Sequence, residues 1–359
     1  MKKIYIFPKY SAKGASSRYR IYSYLRYYDA AGFKYSVNPL FGDAYLNYKY
    51  QHRSVFSPLF ILKVLNAYIH RFLKVLFVPQ NSIVYIGAEL LPYVPLVLEK
   101  YLKFRNVPII IEYDDAIFHN YDQNKNELVR KMLSGKTPQV IKCASLVICG
   151  SRYLKEYALN WNHNVIQIPT CVDSDKYLNK HEDNDTDSFV VGWIGSPSTS
   201  KELSLISTVL IDLQDKYKIK INLIGFDKSK ENLLKGLKYN IIEWSSDSEI
   251  KELNNFTIGV MPLFDTPFNR GKCAFKLVQY MMMGIPTVST PLQSNIDIDG
   301  GCGNLFASTR SEWFGAIEKL LVNKELRNEI GNRNWVYAHS HYSFQMNKDK
   351  YIKALNSLM

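Results

Sequence analysis

The 359-residue sequence has little cysteine: five residues, Cys143, Cys149, Cys171, Cys273 and Cys302. An odd count without a C-x-x-C pair argues against a disulfide framework and against a structural zinc site, and it fits a reducing cytosol. No run of about 18 uncharged apolar residues occurs, so no transmembrane helix is expected. The opening MKKIYIFPKYSAKG has lysines but no long apolar h-region, so no signal peptide is expected. Fixed-period repeats and low-complexity tracts are missing as well. Acidic residues are scarce in one half only. Residues 1–180 hold 25 Lys+Arg against 12 Asp+Glu, a net of +13, whereas residues 181–359 hold 20 against 21, a net of −1. A basic half suits an anionic partner such as a membrane surface, a phosphorylated lipid or nucleic acid; simple solubility bias is the alternative.

The 47% hydrophobic content is ample for full cores, and the length allows one large or two ordinary domains. KIYIFP, FKYSVNP, SIVYIG, VPIIIEYDD, SLVICG and NVIQIP read as strands separated by helical segments. The isoleucines of VPIIIEYDD run on without alternation, as in a strand buried on both faces. The polar segment 174–188 reads as a linker, and the pattern then restarts with FVVGWIG, KIKINLIG, NIIEW, TIGVMPL and IPTVST, followed by two or three helices from about 311. Alternating strands and helices with short connections predict parallel, doubly wound sheets. The expected division is an N-terminal domain at 1–172, a linker at 173–188, a second domain at 189–340, and a helix at 341–359 that packs back toward the first domain. In such sheets ligands sit at the carboxyl ends of the strands.

Three loops at such ends draw attention. SAKGASSRYR (11–20) offers small residues, Gly14 and Arg18, where backbone can approach an anion; an ordinary strand-to-helix loop is the alternative. It has neither a G-x-G-x-x-G nor a Walker A pattern, so no dinucleotide or P-loop reading follows. GSPSTS (195–200) leads from a buried strand into a helix. Gly195 and Ser196 can give donors to a phosphate, or the serines and threonine can simply cap. FNRGKCAFKLVQYMMMGIPT (268–287) puts Arg270, Lys272 and Lys276 at the start of an apolar helix, with the two lysines expected on one face. Cations there oppose the helix dipole, which makes sense if a negative charge arrives with a ligand; a solvated basic patch is the alternative.

VVGWIGSPST, followed by IGVMPLFDTPFNRGKCAFKLVQYMMMGIPTVST, resembles the donor-binding half of family-4 glycosyltransferases. SSRYRIYSYL and IIIEYDDAIF resemble a branch active in bacterial surface-polysaccharide assembly, the making of O-antigen and capsule. The resemblance implies an α/β chain of the GT-B type, with two Rossmann-like doubly wound domains facing a central cleft, and retaining, metal-independent sugar transfer. It implies that Gly195 and Ser196 meet the donor diphosphate and that Lys272 and Lys276 neutralise it. Gln279 falls where many members have the second Glu of an E-x7-E motif, which holds the ribose, and Gly271 falls where the first would be. A UDP-sugar is the default donor, with a GDP-sugar open; no further cofactor and no metal are expected.

Asp114 and Asp115 follow the best strand of the first half. They read as groups that contact or deprotonate an acceptor hydroxyl, with metal binding and helix capping as alternatives. His119 lies five residues beyond Asp114, near where many family members have a sugar-contacting His. Residues 54–78, SVFSPLFILKVLNAYIHRFLKVLFV, read as a basic amphipathic helix with Lys63, His70 and Lys74 on one stripe and Arg71 near it. It either lies on an anionic membrane or packs in the core. An acceptor carried on undecaprenyl diphosphate, at the cytoplasmic face of the membrane, would explain both this helix and the basic half. A nucleotide-sugar epimerase on the same fold and a non-catalytic basic binding module are the competing readings; no nucleic-acid motif is present.

Overall fold

The computed structural model describes residues 2–50, 57–178 and 189–359. Most of the expected linker, residues 179–188, and the first residues of the expected 54–78 helix lie outside them. The chain forms two compact units. The first comprises Met1–Thr170, the tripeptide Gly271–Cys273 and Asn347–Met359; the second comprises Cys171–Arg270 and Ala274–Met346.

In the first unit, β1 (Lys3–Phe7), β2 (Tyr35–Val37), β3 (Ser82–Gly87), β4 (Ile109–Tyr113), β5 (Leu146–Cys149) and β6 (Val165–Gln167) form one sheet in the order β2-β1-β3-β4-β5-β6. Every pairing is parallel. All five residues of β4 are buried, which is why its sequence is apolar without alternation. The edge strand β2 is only half buried. The core gathers Phe7, Val84, Ile86, Ile109, Ile111 and Val147 with side chains from the covering helices.

The second unit repeats the architecture. β7 (Phe189–Ile194), β8 (Ile219–Ile224), β9 (Asn240–Ile242), β10 (Ile258–Met261), β11 (Thr287–Ser289) and β12 (Leu305–Phe306) lie in the order β12-β11-β10-β7-β8-β9, again all parallel. Trp193 and Trp313, both fully buried, anchor a core of Val191, Ile221, Ile258 and Val288. The helices Arg310–Val322 and Lys324–His341 follow in this unit, while the last helix, Phe344–Asn356, falls mostly in the first.

Local chemistry explains several departures from the sequence pattern. The loop expected at 11–20 already turns helical at Ala15–Arg20, with Gly14 at its N-cap. The segment 91–104 after β3 is helical only at Leu98–Phe104, after Pro95, because proline interrupts the ladder before it. The apolar helix of the third loop runs from Phe275 to Met282 and is preceded by Ala274 in the left-handed region, at φ 49°. Lys272 therefore stands outside that helix, and the two lysines do not share a helix face.

Candidate functional site

In the first unit the candidate residues follow two strands, Gly14 and Arg18 after β1 and Asp114, Asp115 and His119 after β4. Glu112 on β4 is buried, with the Arg20 guanidinium 2.5 Å away. The hydroxyls of Tyr85 and Tyr351 donate to the same carboxylate, Tyr351 at 2.6 Å. Arg20 also donates to the Ile168 carbonyl at 2.8 Å. Burial alone would lower the Arg20 pKa, yet the adjoining Glu112 carboxylate holds it well above its usual value. This network fixes the end of β4, from which Asp114 and Asp115 emerge half-buried. The Cys273 thiol donates to the Asp114 carbonyl at 2.9 Å, and Lys272 Nζ stands 3.8 Å from Asp115 Oδ1. Gly271 rests against Ala116, with no room between them for a side chain.

His119 is engaged on both ring nitrogens, by Asp122 at 2.9 Å and by the Tyr153 hydroxyl at 2.9 Å, and its side chain is 11% exposed. Its neighbour Phe118 stacks on Tyr157. Glu89, after β3, accepts from Lys136 Nζ at 2.7 Å and from the Tyr121 hydroxyl at 2.5 Å. Arg18 lies over the Tyr19 ring, and Gly14 is buried against Tyr10.

In the second unit, β7 ends at Ile194 and Gly195 follows it. A Cβ on Gly195 would collide with the Trp193 ring, so the backbone runs directly along that indole. Gly225, at φ 72°, packs against the Gly195 carbonyl from the end of β8. The Thr199 hydroxyl closes the turn by accepting from Ser196 N–H at 3.2 Å and donating to the Ser196 carbonyl at 2.9 Å. Lys276 reaches this turn: its Nζ lies 3.4 Å from Thr199 Oγ1 and 5.0 Å from the centroid of the Trp193 ring. The Ser196 and Ser198 hydroxyls bond each other at 3.0 Å on the exposed side of the turn, and a cation held on an aromatic face beside such hydroxyls is an arrangement suited to an anionic group. The helix that Ser196 begins is a 3₁₀ segment, Pro197–Leu205, and the Ser200 hydroxyl accepts from Asp227 N–H rather than capping.

The other candidates of this unit are placed differently. Arg270 makes a two-pronged, exposed pair with Asp265 at 2.6 and 2.9 Å, which holds the Asp265 pKa below its usual value. Gln279 is buried on the Phe275–Met282 helix. Glu202, which the sequence did not single out, is buried; it accepts from Phe264 N–H and Asn269 Nδ2 and fixes the loop before Arg270. Trp193 was also not singled out, and Thr199 only as a possible cap, because their contact with Lys276 depends on tertiary adjacency. Asp297 and Asp299 have D-x-D spacing, but Asp299 accepts from the Gly301 and Asn304 amides and Asp297 from Gln293. Among the described residues no group of three or more His, Cys, Asp or Glu is placed to hold a metal ion.

No protein-family model matches the chain, and no curated protein sequence matches it. Solved structures do. A structure of Anabaena Alr3699/HepE in complex with UDP superposes with a TM-score of 0.72 at 15% identity, over 99% of this chain and 100% of that one. Sucrose-phosphate synthase from Thermosynechococcus elongatus gives 0.70 at 11% identity, over 100% and 99%. A glycosyltransferase from Rickettsia africae gives 0.67 at 14% identity, over 99% and 98%. The fold is the two-domain α/β GT-B fold.

Proposed function

We propose that the chain is a glycosyltransferase that moves a sugar from a nucleoside-diphosphate donor, a UDP-sugar first and a GDP-sugar second, to a hydroxyl of a glycan acceptor. The observation that carries the reading is Lys276, seated on Trp193 beside the Gly195–Thr199 turn. Leaving-group diphosphate gains charge as the glycosidic bond breaks, and fixed cations with backbone and hydroxyl donors stabilise that charge without a metal. In this reading Gly195, Ser196, Lys276, Lys272 and Arg270 serve the diphosphate, with Gly14 and Arg18 offering a further anion contact. Gln279 serves the ribose.

Asp114 and Asp115 serve the acceptor hydroxyl, as contact or base, with His119 beside them at the sugar. We further propose a retaining, metal-independent hexosyl transfer to an acceptor carried on a lipid diphosphate such as undecaprenyl diphosphate, in bacterial O-antigen or capsule assembly at the inner face of the cytoplasmic membrane. UDP complexes among the structures of the same fold support the choice of base. The domain division at about residues 172 and 189, with the last helix returning to the first domain, belongs to the same reading.

The test is thermal stabilisation by UDP, GDP, dTDP and CDP. A shift with one of them that Lys276→Ala abolishes is expected; no shift with any would sink the donor assignment.

A further inference from the structure

The helix Pro58–Leu76 is capped by Ser57, whose hydroxyl accepts from Phe60 N–H, and buries Phe60, Arg71 and Val75 against the first unit. Among the described residues nothing covers its opposite face. Ile61, Leu62, Leu65, Ile69 and Leu73 are 45–61% exposed, and Phe77 just beyond is 79% exposed. Their spacing of three, four and seven residues sets them on one stripe. Single exposed hydrophobics are ordinary on protein surfaces; a contiguous row along one helix is not.

The apolar surface continues past the helix. Tyr68 donates to the Pro92 carbonyl and so brings up the loop that exposes Tyr93 and Val97. Tyr121, which accepts from Tyr93 N–H, steadies that loop. Tyr101 and Arg105 bond the Leu76 and Val78 carbonyls and bring alongside Phe104, which is 87% exposed.

Charge selects the occupant. Lys63, His70 and Lys74 are exposed and share a row along one edge of the stripe, and Pro58–Leu76 contains no acidic residue. Lys100 and Lys103 are exposed on the adjoining Leu98–Phe104 helix. A second copy docked by a two-fold axis would set these rows of cations near one another with no carboxylate on the helix to offset them. An anionic bilayer satisfies both features: acyl chains take the apolar stripe and headgroups take the lysines.

We propose that this face docks on an anionic lipid bilayer, with Pro58–Leu76 lying in the plane of the interface. The proposal deepens the reading of a lipid-linked acceptor and rests on it for its purpose, but its surface is separate from the donor loop, so each can fail alone.

The experiment is co-sedimentation of the full chain with phosphatidylcholine vesicles, with and without phosphatidylglycerol, at low and high salt. Binding is expected to anionic vesicles, weaker at high salt. It should fall by about tenfold or more in the double variant Leu65→Glu/Ile69→Glu, as loss of the buried apolar face dictates. Both side chains are exposed, so far-UV circular dichroism and the nucleotide-induced thermal shift should stay as in the parent. Lys63→Glu/Lys74→Glu should lose the preference for anionic over neutral vesicles. Failure of the parent chain to bind anionic vesicles, or undiminished binding by Leu65→Glu/Ile69→Glu, overturns the proposal. So does a dimer that dissociates in that variant without vesicle binding, which would assign the face to a second copy. Vesicle binding without any nucleotide shift would leave this proposal standing and remove the donor reading.

Discussion

Lys276 Nζ lies 3.4 Å from the Thr199 hydroxyl and 5.0 Å from the centre of the Trp193 ring, within the first turn of the Phe275–Met282 helix. The helix dipole opposes a cation at that end by about 0.3–1 kcal/mol, and the indole face returns about 0.5–1 kcal/mol. Lys276→Ala should therefore change stability by no more than about 1 kcal/mol in the absence of nucleotide. A charge-assisted bond to phosphate is worth about 1.5–3 kcal/mol, so the affinity for UDP should fall roughly ten- to a hundredfold. Calorimetric titration with UDP, beside a urea melt of the apo protein, separates the two effects. Equal losses in both would make Lys276 a structural residue.

Gly225 takes φ 72°, and its Cβ position is filled by the Gly195 carbonyl. A left-handed alanine costs about 1–2 kcal/mol before any clash. Gly225→Ala should cost more than about 2 kcal/mol in a urea melt, since the carbonyl must also move. Displacing Gly195 also disturbs the turn that Lys276 touches, so nucleotide stabilisation should shrink as well. A variant as stable as the parent would show that the loop after β8 has room to relax.

The buried Arg20–Glu112 pair makes a prediction of opposite kind, on stability with no direct part in chemistry. Removing one partner leaves an uncompensated buried charge and costs about 3–5 kcal/mol. Arg20→Leu should do so. Glu112→Gln should cost less, because the amide oxygen still accepts from Tyr85 or Tyr351. The double variant Arg20→Leu/Glu112→Leu should recover part of the loss. Urea denaturation of the three variants measures the order, and an additive double variant would contradict direct coupling.

Much of this fold is visible in the sequence, because a parallel sheet imposes a strong local signature. IIIEY, LVIC and FVVGWI are largely apolar runs bounded by turn residues; the first two are strands buried throughout and the third is buried over its last four residues. β12 was not foreseen, since Leu305–Phe306 is two residues long and follows a polar, glycine-rich turn. The candidate site divides in the same way. Gly195, Ser196 and Lys276 stand out because they punctuate strong elements. Lys272 was misplaced on the helix because nothing local announces a left-handed Ala274. The Tyr351–Glu112 bond joins residues 239 apart in sequence, a distance that no local pattern spans.

The cysteines give a prediction with a pH dependence. Burial pushes the Cys149 thiol up to about 12 and the Cys302 thiol up to about 11, and raises Cys273 further. Cys143 is half-exposed, and its pKa is also raised by burial. The thiolate is the reactive form, so a raised pKa means slow modification near neutral pH that quickens as pH climbs. With a disulfide-exchange reagent at pH 8, the native protein should show at most one slowly reacting thiol, Cys143, and all five after unfolding in guanidinium. Several fast thiols in the native protein would contradict the burial pattern.

Arg71 lies in the middle of the 58–76 helix, where its sequence neighbours make it look like part of a basic surface. It is 2% exposed. Its guanidinium donates to the carbonyls of Pro8 at 2.9 Å, Asn38 at 2.8 Å and Leu90 at 3.4 Å, and lies 5.0 Å from the Phe7 ring centre. Those carbonyls follow β1, β2 and β3, so one side chain ties the helix to three strand ends. Burial pulls its pKa down, since these partners are dipoles without full charge. Arg71→Met keeps the apolar stem and removes the donors. Each buried carbonyl left unsatisfied costs about 1–3 kcal/mol, offset in part by no longer burying a cation. A net loss of about 2–4 kcal/mol is expected in a urea melt, and Arg71→Lys should fall between, with a charge but fewer donors. Vesicle binding per folded molecule should be unchanged in both variants, because Arg71 faces away from the exposed stripe. Unchanged stability with weakened vesicle binding would place Arg71 on the docking surface and refute its role as an internal strut.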